Sequence, residues 1–108
     1  MSSFDIKVVR IYNTPAAEYV GRAGKYGAGS PLANPFWMAD ETKRDTVCNQ
    51  YEEWFNNKLA DGDVAVRNEL VRLWKVGTAT GSLQLGCFCA PKRCHCDTIK
   101  HFFQSKMV

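Results

Sequence analysis

The chain has 108 residues, of which 45% are hydrophobic and 23% charged, and its 14 basic and 11 acidic residues leave a formal net charge of +3. This size allows one hydrophobic core, which predicts a single domain over residues 1–108, and the composition excludes a disordered chain. The charge excess is too small to indicate nucleic-acid binding, and without an apolar run of about 20 residues or a secretion signal we expect a cytoplasmic protein with no membrane contact.

The first third of the chain predicts two strands and a long loop. Residues 4–12 supply β-branched and aromatic side chains to both faces, which is typical of a buried strand. A turn is predicted at Asn13 and Pro15, and residues 18–22 follow as a short second strand. Residues 21–36 contain four glycines and two prolines, so we expect an irregular loop there.

One long helix is predicted in the middle of the chain. It begins near Asp40 or Thr42, either of which would cap free backbone N–H groups, and it ends at residues 61–62, where an aspartate precedes a glycine. Its predicted apolar face comprises Val47, Cys48, Tyr51, Trp54, Phe55 and Leu59.

A second helix, a strand and a third helix complete the chain. Asp63 is the predicted cap of the second helix, which ends at Gly77 before a connector over residues 78–82. Its buried side carries Val66, Leu70, Leu73 and Trp74. The strand follows over residues 82–89, where the apolar alternation is set by Leu83, Leu85, Cys87 and Cys89. The last helix begins within residues 94–97 and buries Ile99, Phe102 and Phe103.

The order of these elements predicts a small α/β fold. Enough helix separates the last strand from the first two for a parallel crossover, which indicates a Rossmann-like sandwich of about three strands with helices packed on the sheet. Ligands of open α/β sheets bind beyond the carboxyl ends of the parallel strands. We therefore expect a site after the last strand.

Residues 87–97 place cysteines, a histidine and basic residues at that position. A helix N-terminus with nearby cations would attract an anion such as phosphate. The same field would stabilise a thiolate at Cys94 or Cys96, with His95 or Asp97 handling protons. This segment therefore predicts either anion binding or thiolate chemistry.

Four of the five cysteines lie within ten residues, which also suggests zinc. Their spacing is C-x-C twice, not that of a zinc knuckle, and thiols at Cys94 and Cys96 point in different directions if both lie in a helical turn. We therefore assign no metal ligand and keep zinc as an alternative. Structural roles compete with each function: Cys87 and Cys89 as core residues, and Asp97 as a helix cap.

The glycine-rich loop, residues 20–36, is the second candidate segment. Its glycines permit close backbone approach and positive φ, while Arg22 and Lys25 supply cations for a phosphate or carboxylate. It matches neither the P-loop pattern nor the dinucleotide-binding pattern. The competing interpretation is a surface loop without function.

Several motifs together resemble a known family. They are Val20-Gly21-Arg22, Ser30-Pro31-Leu32-x-Asn34-Pro35-Phe36, Leu85-Gly86-Cys87-x-Cys89-Ala90-Pro91 and Cys94-His95-x-Asp97. The family consists of small phage and bacterial domains of unknown function, and the resemblance covers nearly the whole chain. It implies an intracellular α/β fold in a phage or phage-like setting and brings no established activity.

The resemblance also indicates which residues belong to a shared pattern. By position it carries over Arg22, Ser30, Asn34, Cys89, Cys94, His95 and Asp97. Family members have Trp at the position of Phe88 and Gly at that of Cys96, and their bridge between the arginine and the Ser-Pro-Leu element is shorter. Cys96 and residues 25–29 are therefore interpreted as local additions.

The sequence predicts a pocket between the glycine-rich loop and residues 87–97 that binds or processes a nucleotide, a nucleoside or another phosphorylated small molecule. The predicted catalytic residues are Cys94, His95 and Asp97, and the predicted ligand-binding residues are Arg22, Ser30, Asn34 and Cys89. No cofactor is specified, and whether the protein is an enzyme stays open. The alternatives are a zinc-stabilised structural or interaction domain, and a phage factor that binds a host protein through exposed aromatic residues such as Trp37.

Overall fold

The computed structural model describes residues 3–24, 29–90 and 92–107. The elements in chain order are strand β1 (Asp5–Arg10), strand β2 (Glu18–Tyr19), a 3-10 turn (Glu41–Lys43), helix α1 (Arg44–Asp61), helix α2 (Val64–Thr80), strand β3 (Ser82–Cys87) and helix α3 (His95–Lys106). No helix within these ranges has the length and apolar character needed to cross a membrane.

The three strands form one parallel sheet in the order β1-β3-β2. β3 is central, and it pairs with β1 along its whole length and with β2 near its end. Its buried side chains are Leu83, Leu85 and Cys87, as the alternation predicts. Helices α2 and α3 pack on the sheet, and α1 packs on both of them. The predicted small α/β fold is confirmed.

The predicted start and end of α1 are also confirmed. The Asp40 carboxylate accepts a hydrogen bond from the backbone N–H of Thr42 and so caps the 3-10 turn that leads into the helix. Gly62 ends the helix with a left-handed φ of 71°. The buried face contains Val47, Cys48, Tyr51 and Phe55.

The predicted end of α2 at Gly77 is wrong. The helix continues to Thr80, and Gly81 ends it with a φ of 81°. Gly77 is buried inside the helix, where a Cβ atom would overlap the ring of Phe4. This glycine is therefore a packing position, at which the N-terminal segment crosses the helix.

Two strand predictions also need correction. β2 ends at Tyr19 and not at residue 22, because the Tyr19 ring folds back over Gly21 and its hydroxyl donates to the carbonyl of Arg22. β3 ends at Cys87, so Cys89 lies in the following turn and is only half-buried. The alternative core role of Cys89 holds only in part, because this residue packs half-buried against the core from outside the strand, whereas Cys87 is buried within it.

Candidate functional site

A cavity of about 270 Å³ lies between the glycine-rich loop and residues 87–97, which we call the Cys/His turn. Three segments form its wall: the loop, the first turns of α1, and the chain between β3 and α3. The lining residues are Gly21, Arg22, Asn34, Phe36, Trp37, Met38, Arg44, Val47, Cys48, Cys87, Phe88, Cys89, Arg93, Cys94 and His95. The structure therefore brings together two segments that are distant in sequence, at the carboxyl end of the central strand.

The second half of the glycine-rich loop is fixed to the core by Tyr51. Leu32 is fully buried, and the Tyr51 hydroxyl donates a 2.7 Å hydrogen bond to its carbonyl. Ser30 and Asn34 each accept a hydrogen bond from the backbone N–H two residues later, which shapes the turns on either side of Leu32. Asn34 lines the cavity, whereas Ser30 does not.

Arg22 is held at the cavity by the loop itself. One Nη2–H donates to the carbonyl of Phe36 at 2.8 Å, and the guanidinium carbon lies 3.9 Å from the centre of the Trp37 ring. The Trp37 side chain is 79% exposed, so this stacking takes place at the mouth of the cavity. No carboxylate within residues 3–24, 29–90 and 92–107 forms an ion pair with Arg22.

The other cations of the site are already paired with acidic residues. Arg44 makes a bidentate pair with Glu41, and Lys92 reaches the same carboxylate at 3.3 Å. Hydrogen bonding from Arg44 is the main reason why the pKa of Glu41 falls to about 2. Arg93 pairs with Asp45 at 3.0 Å. The two basic residues of the Cys/His turn, expected from the sequence to attract an anion, therefore link this turn to the start of α1. Lys25, the other loop cation, lies outside the described residues.

His95 lines the cavity at the first position of α3. Its Nε2 lies 2.7 Å from the carbonyl of Val20, so this nitrogen carries a proton and donates it. Burial lowers the pKa of His95, which favours the neutral ring with Nδ1 as an acceptor. Its ring also packs edge-on against Tyr51.

Asp97 has a structural role at the same helix end. Its carboxylate accepts a 2.9 Å hydrogen bond from the backbone N–H of Cys94, the N-cap residue of α3. Asp97 does not line the cavity. Of the three predicted catalytic residues, the structure therefore brings Cys94 and His95 to the cavity and leaves Asp97 as a helix cap.

In addition to Cys48 on α1, four cysteines gather beneath and beside the cavity. The sulfurs of Cys87, Cys94 and Cys96 lie within 4.8 Å of one another, and those of Cys87 and Cys94 are 3.2 Å apart. Hydrogen bonding with Cys94, together with Arg44, lowers the pKa of the half-buried Cys89 to about 6. Among the described residues, this three-cysteine group is the one that offers three ligand atoms at metal-binding spacing.

Sequence reasoning missed two features of the site. Arg44 and Val47 reach the cavity from the start of α1, which was expected only to contribute to the core. The family resemblance indicates that Cys96 is a local addition, but its thiol joins the buried cluster. The unusual density of cysteines was the available signal for Cys96. No local pattern marks Arg44, because its position depends on how α1 packs against the turn.

The sequence comparisons agree with the family resemblance. No curated protein and no solved structure matches the chain significantly. A family model described as a domain of unknown function (DUF4326) matches residues 6–105, which is nearly the whole chain and includes every part of the cavity wall. The protein therefore belongs to the DUF4326 family.

Proposed function

We propose that the cavity binds a small anionic molecule with a flat or apolar body, of the nucleotide or nucleoside monophosphate class. The observation that carries this proposal is Arg22. Its guanidinium has no acidic partner in the described parts of the chain, it stacks on Trp37, and it lies at the mouth of the cavity.

The chemistry of Arg22 suits a phosphate. A guanidinium presents five N–H donors in a rigid fork, and the hydrogen bond to the Phe36 carbonyl uses only one of them. The remaining donors match the paired oxygens of a phosphate or carboxylate. Stacking on Trp37 limits the rotation of the guanidinium, so less side-chain entropy is lost when an anion binds.

The rest of the wall suits an apolar or aromatic body. Phe36, Trp37 and Phe88 supply aromatic surface, and Met38 and Val47 add aliphatic surface. The volume of about 270 Å³ is near the lower end of the range for small-molecule sites, about 300–1,000 Å³. This size fits one base with its sugar, or one sugar phosphate, better than a dinucleotide.

His95 and Asn34 supply the polar contacts that such a ligand needs. The Nε2–H of His95 is committed to Val20, which leaves Nδ1 as a hydrogen-bond acceptor for a ligand N–H or O–H. The Oδ1 of Asn34 is used within the loop, so its amide NH₂ group is the part available to a ligand. One acceptor and one amide donor would fix the orientation of a base or sugar edge.

The test is a thermal-shift screen of the full chain against inorganic phosphate, the common nucleosides, their mono- and diphosphates, and sugar phosphates. A ligand at about ten times its Kd stabilises the folded state by about 1.4 kcal/mol. For a domain of this size that raises Tm by on the order of 5–10 °C. We expect at least one monophosphate to do this, and the matching nucleoside to do so more weakly.

Two variants show where such a ligand binds. Arg22→Gln removes the unpaired guanidinium and should weaken binding at least about tenfold, since hydrogen bonds to charged groups contribute about 1.5–3 kcal/mol. Arg67→Gln is the matched control, because Arg67 is exposed on α2 and does not line the cavity. Absence of any shift across the screen, or equal loss of binding in both variants, would contradict the proposal.

A further inference from the structure

The cluster of Cys87, Cys94 and Cys96 has the dimensions of a metal site. Each thiol is buried, and the three sulfurs lie between 3.2 Å and at most 4.8 Å apart. Zinc with Zn–S bonds of about 2.3 Å in a tetrahedron places neighbouring sulfurs about 3.8 Å apart. The Cys87–Cys94 separation is shorter than this value, and no pair exceeds it by more than about 1 Å, so small side-chain adjustments would bring all three sulfurs to bonding distance of one ion.

Cys87 supplies the first ligand from the end of the sheet. It is the last residue of β3, and the chain turns directly after it. Its carbonyl accepts a 2.9 Å hydrogen bond from the backbone N–H of Ile11. The sheet therefore fixes the position from which this thiol reaches the other two sulfurs.

The other two ligands come from the start of α3. Cys94 is the N-cap residue with an extended backbone, φ −150° and ψ 178°, and Cys96 is the second residue of the helix. Because only Cys96 is inside the helix, the two thiols reach the same point. The positive end of the helix dipole also stabilises negative charge on both sulfurs.

We propose that Cys87, Cys94 and Cys96 bind a thiophilic transition-metal ion, with zinc as the test ion, at the base of the cavity. Cys87 and Cys94 line the cavity and Cys96 lies beneath it, so the fourth coordination position faces the cavity beside Cys89. Binding releases the thiol protons and involves no redox change. This inference depends on the sulfur geometry and not on the proposed anion binding.

One cation of the cavity is available to balance the charge of such a centre. Three thiolates and one Zn²⁺ carry one net negative charge. Arg44 and Arg93 line the same cavity but are paired with Glu41 and Asp45, whereas Arg22 has no acidic partner in the described parts of the chain. A centre with one negative charge therefore shares the cavity with one unpaired cation and with the N-terminal amides of α3.

The test uses full-length protein purified without chelator. We expect metal analysis to find close to one zinc per chain, and replacement with Co²⁺ to give a sulfur-to-cobalt charge-transfer band. Cys96→Ala should weaken zinc binding at least about 100-fold in competition with a chromophoric chelator, since even the loss of an outer-shell contact costs about 10–100-fold. Cys48→Ala is the matched control, because Cys48 is also buried and lines the same cavity, but its sulfur does not belong to the three-cysteine cluster.

A second measurement covers the case in which Cys96→Ala fails to fold. Wild-type protein is stripped of metal with a chelator and titrated with Zn²⁺ while its Tm is recorded, and we expect a rise that saturates at one equivalent. The proposal is overturned by protein that neither retains zinc nor gains stability from it. A Cys87–Cys94 disulfide in freshly purified protein, or equal zinc loss in the Cys48→Ala control, would overturn it as well.

Discussion

The hydroxyl of Tyr51 joins the helical layer to the loop that forms one wall of the cavity. It donates to the carbonyl of Leu32 at 2.7 Å, and both residues are 0% exposed. Tyr51→Phe keeps the ring and its packing and removes only this hydrogen bond. Because a buried carbonyl then loses its donor, we expect the free energy of unfolding to fall by about 1–3 kcal/mol.

That loss is large for a domain of this size. Total stabilities are about 5–15 kcal/mol, and each kcal/mol changes Tm by about 4–8 °C in domains of up to about 100 residues. Urea unfolding followed by circular dichroism measures the change, and the m value should stay constant because the buried surface is unchanged. A loss below about 0.5 kcal/mol would show that this bond does not hold the loop and would refute the reasoning.

Tyr19→Phe provides a graded comparison. The Tyr19 hydroxyl also donates to a loop carbonyl at 2.7 Å, that of Arg22, but Tyr19 is only half-buried. Water can replace part of the lost bond, so we expect a smaller cost of about 0.5–1.5 kcal/mol. A larger cost for Tyr19→Phe than for Tyr51→Phe would contradict the importance given to burial.

Three further predictions concern packing, capping and charge. Gly77→Ala places a methyl group against the Phe4 ring. The overpacking should cost about 1–3 kcal/mol, which exceeds the gain in helix propensity of about 1 kcal/mol, so we expect a net loss of stability. An increase in the free energy of unfolding in urea would refute this prediction. Asp97→Ala removes a helix cap and should cost about 0.5–2 kcal/mol while ligand affinity stays unchanged, which calorimetry of binding checks. The Arg44 hydrogen bond lowers the pKa of Glu41 to about 2. The stabilisation of the fold by this ion pair is therefore present above the ordinary pKa of 4.5 and is lost as the pH falls towards 2. An NMR titration in which the Glu41 carboxyl takes up its proton near pH 4.5 would contradict this.

The elements that follow local rules were predictable from sequence. Alternating apolar residues identified β3, and Asp40 and Asp63 cap the helices that follow them, because periodicity and capping depend on neighbours a few residues apart. The error at Gly77 has a physical reason. In the sequence, a glycine that ends a helix cannot be distinguished from one that leaves room for an aromatic ring. Only the position of Phe4 in the folded protein distinguishes them.

The candidate site was predictable in location and less so in composition. The meeting of the loop with the Cys/His turn follows from the rule for parallel strands. The convergence of Cys94 and Cys96 does not follow from C-x-C spacing, because two helical residues at that spacing point in different directions, whereas Cys94 is extended. The neutralisation of Arg93 by Asp45 depends on tertiary packing. Among the arginines that line the cavity, Arg22 is therefore the one without an acidic partner in the described parts of the chain.

Chemical-shift mapping tests most directly whether the glycine-rich loop and the Cys/His turn form one binding site. Isotope-labelled full-length protein is titrated with an equimolar mixture of the four ribonucleoside monophosphates. We predict that amides in residues 29–38 and 87–97 shift together and saturate with the same Kd, while the exposed face of α2 around Arg67 does not respond. Shifts confined to one of the two segments, or largest on α2, would contradict a shared site.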